Sequence, residues 1–243
     1  YVTNINGGIE INGYDGDEIQ IKVARTLNAK TGERLKKGIE EVGIGVLDRY
    51  DTLIVYMKNG CDNFRWDVDK RGYNWDYNDC DVPYDFRFDI TVLVPRNLNI
   101  YASTVNRGDV NVAGVDGTLE LRNINGDISA SGIQRTTVVN TINGDVSLEY
   151  TRMPESGKFY SLNGDIVANY PPGFKASVTF KSFNGDFYTN VDDIAQEPVM
   201  IKTNSNKKGI SFKAETKSAI TFRGGGAPLD FETFNGDVFI KEN

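Results

Sequence analysis

The stretch LRNINGDISASGIQRTTVVNTINGDVSLEY, residues 121–150, holds two copies of one short pattern. Asn125-Gly126-Asp127 and Asn143-Gly144-Asp145 stand 18 residues apart, each between apolar residues. Working outward, the tripeptide returns at Asn163-Gly164-Asp165, Asn184-Gly185-Asp186 and Asn235-Gly236-Asp237, with a looser copy at Asn106-Arg107-Gly108-Asp109. Composition alone would give fewer than one copy. Successive aspartates from Asp109 to Asp186 are 18, 18, 20 and 21 residues apart, and the step to Asp237 is 51. That long step leaves room for two rungs without the motif, for which Ile210-Ser211-Phe212 and Ile220-Thr221-Phe222 are the candidates.

The flanks repeat as well. Ile124, Ile142, Leu162, Phe183 and Phe234 precede the full motifs, and Ile128, Val146, Ile166, Phe187 and Val238 follow them. Two residues further on come Ala130, Leu148, Ala168, Thr189 and Ile240. A period of two is strand alternation. It places the apolar residues and the glycine on an inner face and turns Asn and Asp outward. Glycine inside a strand pattern marks a bend or a close backbone approach, and a bend every 18 to 21 residues coils the chain. One coil cannot bury its own inner face, so coils stack. The expected fold is all-β, a right-handed parallel β-solenoid. The competing reading makes each Asn-Gly a two-residue hairpin turn in an antiparallel meander. It leaves the other connections without an equivalent signal.

These Asn-Gly-Asp copies and their apolar flanks resemble the bacterial putative-adhesin domain of unknown function, a β-solenoid family with a sGdi-type repeat. The resemblance extends to the front of the chain, over Ile9-Glu10-Ile11 and Glu18-Ile19-Gln20-Ile21-Lys22-Val23. It implies an exported or surface-anchored protein and carries over no functional residues.

Residues 1–98 are expected to supply strands, a short helix at about 32–42 and a Cys-bracketed hairpin at 61–80, and residues 99–243 the repeat-built solenoid, as one continuous domain. In the helix Leu35, Ile39 and Val42 fall at helical spacing, which suits a cover over one end of the stack. In the hairpin one alignment sets Trp66 opposite Trp75, Phe64 opposite Tyr77, Arg65 opposite Asp76 and Cys61 opposite Cys80. After it Phe86, Phe88, Ile90, Val92 and Val94 alternate through a long strand.

Composition narrows the function. The net charge is −7 with Lys and Arg scattered, whereas a nucleic-acid binder needs a basic stripe. The absence of His removes His-assisted nucleophiles and His-ligated metals. No apolar run has the length of a transmembrane helix. Export, with the signal trimmed upstream of Tyr1, gives an extracytoplasmic location in the periplasm or at the bacterial cell surface.

Three candidate sites remain. Asp127, Asp145, Asp165 and Asp186 would stack about 4.8 Å apart, where two carboxylates repel by about 0.9 kcal/mol in bulk water. Cations could bridge such a column, or it could be a polar ladder that satisfies the bend. One carboxylate per rung is thin for calcium. The aromatic hairpin face, Phe64, Trp66, Tyr73, Trp75 and Tyr77, would be a contact platform or a packed lid. The acidic segment from Cys61 to Asp85 carries seven Asp against three Lys or Arg. Its faint EF-hand look fails because Arg71 and Asn78 occupy ligand positions.

No cofactor is implied. The leading reading is a non-enzymatic, adhesin-like binding or scaffolding protein whose partner is a surface polysaccharide or protein. The alternatives are a β-helix polysaccharide lyase or hydrolase and an end-to-end polymer. Acids recurring once per rung do not make the paired groups that acid–base chemistry needs. A Cys61–Cys80 disulfide would stabilise the fold by roughly 3 kcal/mol and fits an oxidising compartment. Non-reducing mass spectrometry of fresh protein should show the 61–80 bond, and free thiols there would remove it.

Overall fold

The computed structural model describes residues 1–58, 82–197 and 218–243, together with the backbone of four further strands, Phe64–Asp67, Gly72–Trp75, Ile201–Asn206 and Gly209–Ala214. The chain is mostly β, in two large parallel-rich sheets joined at the Asn-Gly-Asp corners. Each rung is one strand in the first sheet, a corner, and one strand in the second. The meander is thereby excluded, because neighbouring rungs pair in parallel.

Seven rungs stack in this spatial order. Rung 1 is Val2–Thr3 with Ile9–Tyr14, and rung 2 is Ile100–Ser103 with Val110–Ala113. Rung 3 is Leu119–Arg122 with Ile128–Ile133, rung 4 is Thr137–Asn143 with Val146–Tyr150, and rung 5 is Gly157–Asn163 with Ile166–Tyr170. Rung 6 is Ala227–Asn235 with Val238–Glu242, and rung 7 is Ala176–Lys181 with Phe187–Thr189. The order is not that of the sequence. Rung 6, the latest in the chain, lies between rungs 5 and 7. Rung 1 likewise lies between rung 2 and the later strands Thr52–Lys58 and Tyr84–Pro95.

The 51-residue step is therefore an excursion and not two worn rungs. Ser218–Phe222 runs antiparallel to the first strand of rung 7 and pairs with Ile194–Glu197. Gly209–Ala214 pairs antiparallel with Ile201–Asn206 in a separate ribbon. At the other end antiparallel strands Gly43–Arg49 and Gln20–Ala29 close the two sheets.

The core follows from the register. Ile9, Val110, Ile128, Val146, Ile166 and Val238 form one buried column. Ile11, Val112, Ala130, Leu148, Ala168 and Ile240 form the next. Each fully buried aliphatic side chain contributes roughly 1.5–3 kcal/mol. Ala102, Leu121, Val139, Phe159 and Phe231 face them from the first sheet, the two phenylalanine rings 4.7 Å apart. Tyr150 and Tyr170 stack at 5.0 Å, and burial pushes both hydroxyl pKa values up.

The apolar residues before the motif are not inside. Ile124 is 39% exposed, Phe234 44% and Phe183 74%. The buried positions are one residue earlier, at Thr104, Asn123, Thr141, Ser161 and Thr233. The corner interrupts the alternation, so parity after the motif does not carry back through it.

The helix spans Gly32–Glu41, capped by Thr31, whose hydroxyl accepts from the Arg34 N–H. It packs on Gln20–Ala29 and Tyr84–Pro95 at the rung 1 end. Its buried residue is Gly38, against the Tyr84 ring, while Ile39 is exposed. The long strand Tyr84–Pro95 alternates as its sequence predicts. The hairpin exists, but Trp66 pairs with Tyr73 and Phe64 with Trp75. The pairing is shifted by two residues, which changes partners. Cys61, Tyr77 and Cys80 lie outside the described residues.

Glycine at the corner is a packing requirement. A Cβ on Gly144 would sit 2.1 Å from the Gly126 carbonyl oxygen, and one on Gly164 2.1 Å from that of Gly144. Gly144→Ala should lower stability by about 1–3 kcal/mol, the usual cost of overpacking, in a urea titration. Gly43→Ala, whose Cβ meets nothing within 4 Å, should change it by less than about 0.5 kcal/mol. Equal effects would show that the corner is not packed this way.

Candidate functional site: the Asn-Gly-Asp edge

Three hydrogen-bonded columns run along the corner. In the first, each Asn side chain donates through Nδ2 to the Asn Oδ1 of the rung before it. Asn125 donates to Asn106, Asn143 to Asn125, Asn163 to Asn143, Asn235 to Asn163 and Asn184 to Asn235, all at 2.7–2.9 Å. In the second, each Asp backbone N–H donates to the preceding rung's Asp Oδ1. Asp127 donates to Asp109, Asp145 to Asp127, Asp165 to Asp145, Asp237 to Asp165 and Asp186 to Asp237, at 2.8–2.9 Å. Rung 1 has Gly8 in the Asp position, and its N–H donates to Asp89 Oδ1 at 3.1 Å.

The third column is buried and uses the residue two before each Asn. Thr104 donates to the Gly7 carbonyl, Asn123 to that of Gly108, Thr141 to Gly126 and Ser161 to Gly144, at 2.7–3.1 Å. Thr233 donates to the Gly236 carbonyl of its own corner at 2.8 Å. Sequence reasoning passed over this position. Its signal was available: Asn4, Thr104, Asn123, Thr141, Ser161, Ser182 and Thr233 are all small hydrogen-bonding residues two before an Asn. A buried carbonyl without a donor costs about 1–3 kcal/mol, which explains the choice.

The carboxylates are thus spoken for in part. Oδ1 of Asp109, Asp127, Asp145, Asp165 and Asp237 each holds a neighbour's amide, which offsets repulsion along the column. Among the described residues no group of three or more His, Cys, Asp or Glu side chains is placed to hold a metal ion. Of the aromatic hairpin residues, the backbones of Phe64, Trp66, Tyr73 and Trp75 are described and their side-chain positions lie outside the described residues.

The edge also carries an outward apolar row that sequence reading had assigned to the core. Ile124, Ile142, Leu162, Phe234 and Phe183 follow one another along rungs 3 to 7, beside the Asn column, with Ile142 and Leu162 half-buried; on rung 2 Val105 packs against the core. The row becomes aromatic at its end, where Phe183 and Phe234 stack at 4.8 Å with their planes 6° apart. Across the corner Tyr188 and Phe239 stack at 5.0 Å, and Lys241 lies 5.3 Å above the Phe239 ring. The nearby carboxylates of Asp237 and Asp186 push the Tyr188 hydroxyl pKa up. Two ring pairs therefore straddle the last aspartates, with Phe183, Phe234 and Tyr188 exposed and Phe239 half-buried.

At the opposite edge, near rung 1, a cleft of about 1350 Å³ opens between the sheets, walled by Ile11, Ile19, Leu47, Leu53, Val92 and Leu98. Tyr50 is fully exposed at its mouth, at a hairpin tip with φ 38°.

The sequence profile of the family described as Toastrack DUF4097 matches residues 96–225. No curated protein matches the chain. A solved structure described as a putative cell adhesion protein from Clostridium sporogenes is similar at 10% identity, over 100% of this chain and 92% of that one, with a TM-score of 0.46.

An ion present at 100 times its Kd would add about 2.7 kcal/mol to stability. With one oxygen of each ladder carboxylate committed to an amide, millimolar calcium should leave the melting temperature where it stands. A rise of several degrees in calorimetry would make the column an ion site after all.

Proposed function

The chain belongs to the Toastrack DUF4097 family, and from that premise we propose that it is a non-enzymatic, adhesin-like binding or scaffolding protein of the bacterial cell surface or periplasm. The observation that carries this reading is the outward apolar row beside the Asn ladder, ending in the stacked Phe183 and Phe234. An exposed apolar strip rimmed by polar groups is characteristic of a contact surface. Its residues repeat from rung 3 to rung 7, so it suits an elongated partner laid along that part of the stack, a surface polysaccharide or protein. Rings supply area, and the parallel rows of Asn amides and Asp carboxylates supply hydrogen bonds at fixed spacing.

Catalysis is the less favoured class. General acid–base work needs two groups whose environments separate their pKa values. The acids of this edge instead share one environment, repeated. No helix among the described residues is long and apolar enough to cross a membrane. An extracytoplasmic location is part of the proposal, and it carries with it the expectation of a 61–80 disulfide.

Retention of the protein on intact bacterial cells and on purified cell-wall polysaccharide tests the site. The double variant Phe183→Ala, Phe234→Ala should be retained at least about tenfold less, equivalent to losing 1.4 kcal/mol of contact, with little change in melting temperature because both rings are exposed. Undiminished retention would sink the edge as the contact face. Turnover of a polysaccharide, abolished by a single Asp→Asn change, would overturn the non-enzymatic reading.

A further inference from the structure

Rungs 5 and 7 are neighbours in sequence and are held apart in space by rung 6. Both walls of this slot carry the same corner. Asn163 Oδ1 and Asp165 Oδ1 accept from Asn235 and Asp237 of rung 6. On the other side Asn184 Nδ2 and the Asp186 N–H donate to Asn235 and Asp237. A segment with an apolar-Asn-Gly-Asp-apolar corner satisfies the corner bonds of both walls, and rung 6 adds Asp230 and Glu232, which meet Thr179 and Lys181 of rung 7.

Rung 6 enters its slot through a tight connection. Phe222 and Ala227 both pair with Ala176, on opposite sides of it. Residues 223–226 therefore turn around the start of rung 7. Arg223, Gly224 and Gly225 have φ of 49°, 79° and 90°, three left-handed residues in succession, one of them carrying a side chain. A non-glycine residue there stores strain, and short strained hinges invite exchange of the element they connect.

The far end of rung 6 is fastened by side chains. The Glu242 carboxylate accepts from Arg223 at 2.6 Å and from the Gly173 N–H. Those two donors, the Gly173 amide first, hold its pKa below the usual carboxylate range. Asn190 donates to the Glu242 carbonyl at 3.0 Å and accepts its N–H at 2.8 Å. Rung 6 is thus held by strand pairing and corner bonds of the kind that the other rungs use, by the Thr179–Asp230 and Lys181–Glu232 contacts to rung 7, and by a latch that also pins the hinge.

We propose that the slot between rungs 5 and 7 is a docking site for a second copy of this chain, whose rung 6 enters it in exchange. Opening residues 223–226 relieves the left-handed turn and gives a connection of at most about 14 Å, so the two copies lie side by side. Each slot contact is remade between chains, which makes such exchange a low-cost route to a dimer. This inference is independent of the apolar row as a binding face.

Deleting Gly224 and Gly225 leaves too little chain to turn around rung 7, so the shortened protein should elute at twice the monomer mass in chromatography with light scattering. Inserting Gly-Ser-Gly after Gly225 should keep it monomeric. Lys158 and Asp230 are register partners across rungs 5 and 6. Chains with Lys158→Cys are mixed with chains with Asp230→Cys, once with the shortened hinge and once with the natural hinge after unfolding and refolding at high concentration. A short thiol crosslinker should then join 158 of one chain to 230 of the other in the dimer. The double variant in one chain with the natural hinge should crosslink as a monomer, which shows that both substitutions fold. A monomeric shortened protein, or dimers without the 158–230 link under both conditions, would overturn the proposal.

Discussion

Backbone lying directly on backbone at each corner is the constraint from which the rest of the structure follows. The Gly144 Cα rests against the Gly126 carbonyl, and the Gly164 Cα against that of Gly144. Contact this close fixes the rise between rungs and leaves no room for a side chain. It also buries carbonyls that strand pairing does not satisfy. The inner hydroxyls of Thr104, Thr141 and Ser161 supply the missing donors. The outer Asn and Asp columns then lock the same register from the solvent side. A corner residue is chosen for what its neighbour one rung away requires.

Much of this was legible in the sequence, and the failures have particular causes. The repeat, the bend and the alternation after the motif were readable because Ile128, Val146 and Ile166 stand at one offset from an invariant corner. The face of Ile124, Phe234 and Phe183 was not, because a corner resets which side of the strand is inside. Thr141 and Ser161 look like surface residues until the carbonyls above them are known. The hairpin partners slipped by two residues because alternation repeats every two residues, so a shift of two leaves the pattern read from the sequence intact and changes only the particular pairings. The candidate contact row was invisible for the same reason as its parity: apolar residues beside a strand motif read as core.

Spatial order was the part that sequence could not encode. Each Asn-Gly-Asp corner offers the same donors below and the same acceptors above, so local chemistry does not say which rung sits on which. Spacing suggested that rung 7 follows rung 5. The excursion between Thr189 and Ala227 decides otherwise, since Ser218–Phe222 docks on rung 7 and delivers the next strand to its other side. Interchangeable corners make the stack extensible, and connections choose among the arrangements that they permit.

The placement of rung 1 bears on how the chain acquires its structure in time. Val2–Thr3 and Ile9–Tyr14 are made before any of their partners, which come on one side from residues 52–58 and 84–95 and on the other from 100–113. Val2–Thr3 waits for residues 52–58, and Ile9–Tyr14 for residues 84–95, before either has a strand to pair with. Distant pairings of this kind must close long loops before any contact repays them, and they slow folding. An unpaired apolar strand that waits is exposed to wrong associations. Residues 1–14 are therefore native only well after they are made, and a partner that shields them during that interval would act on yield without changing the finished molecule.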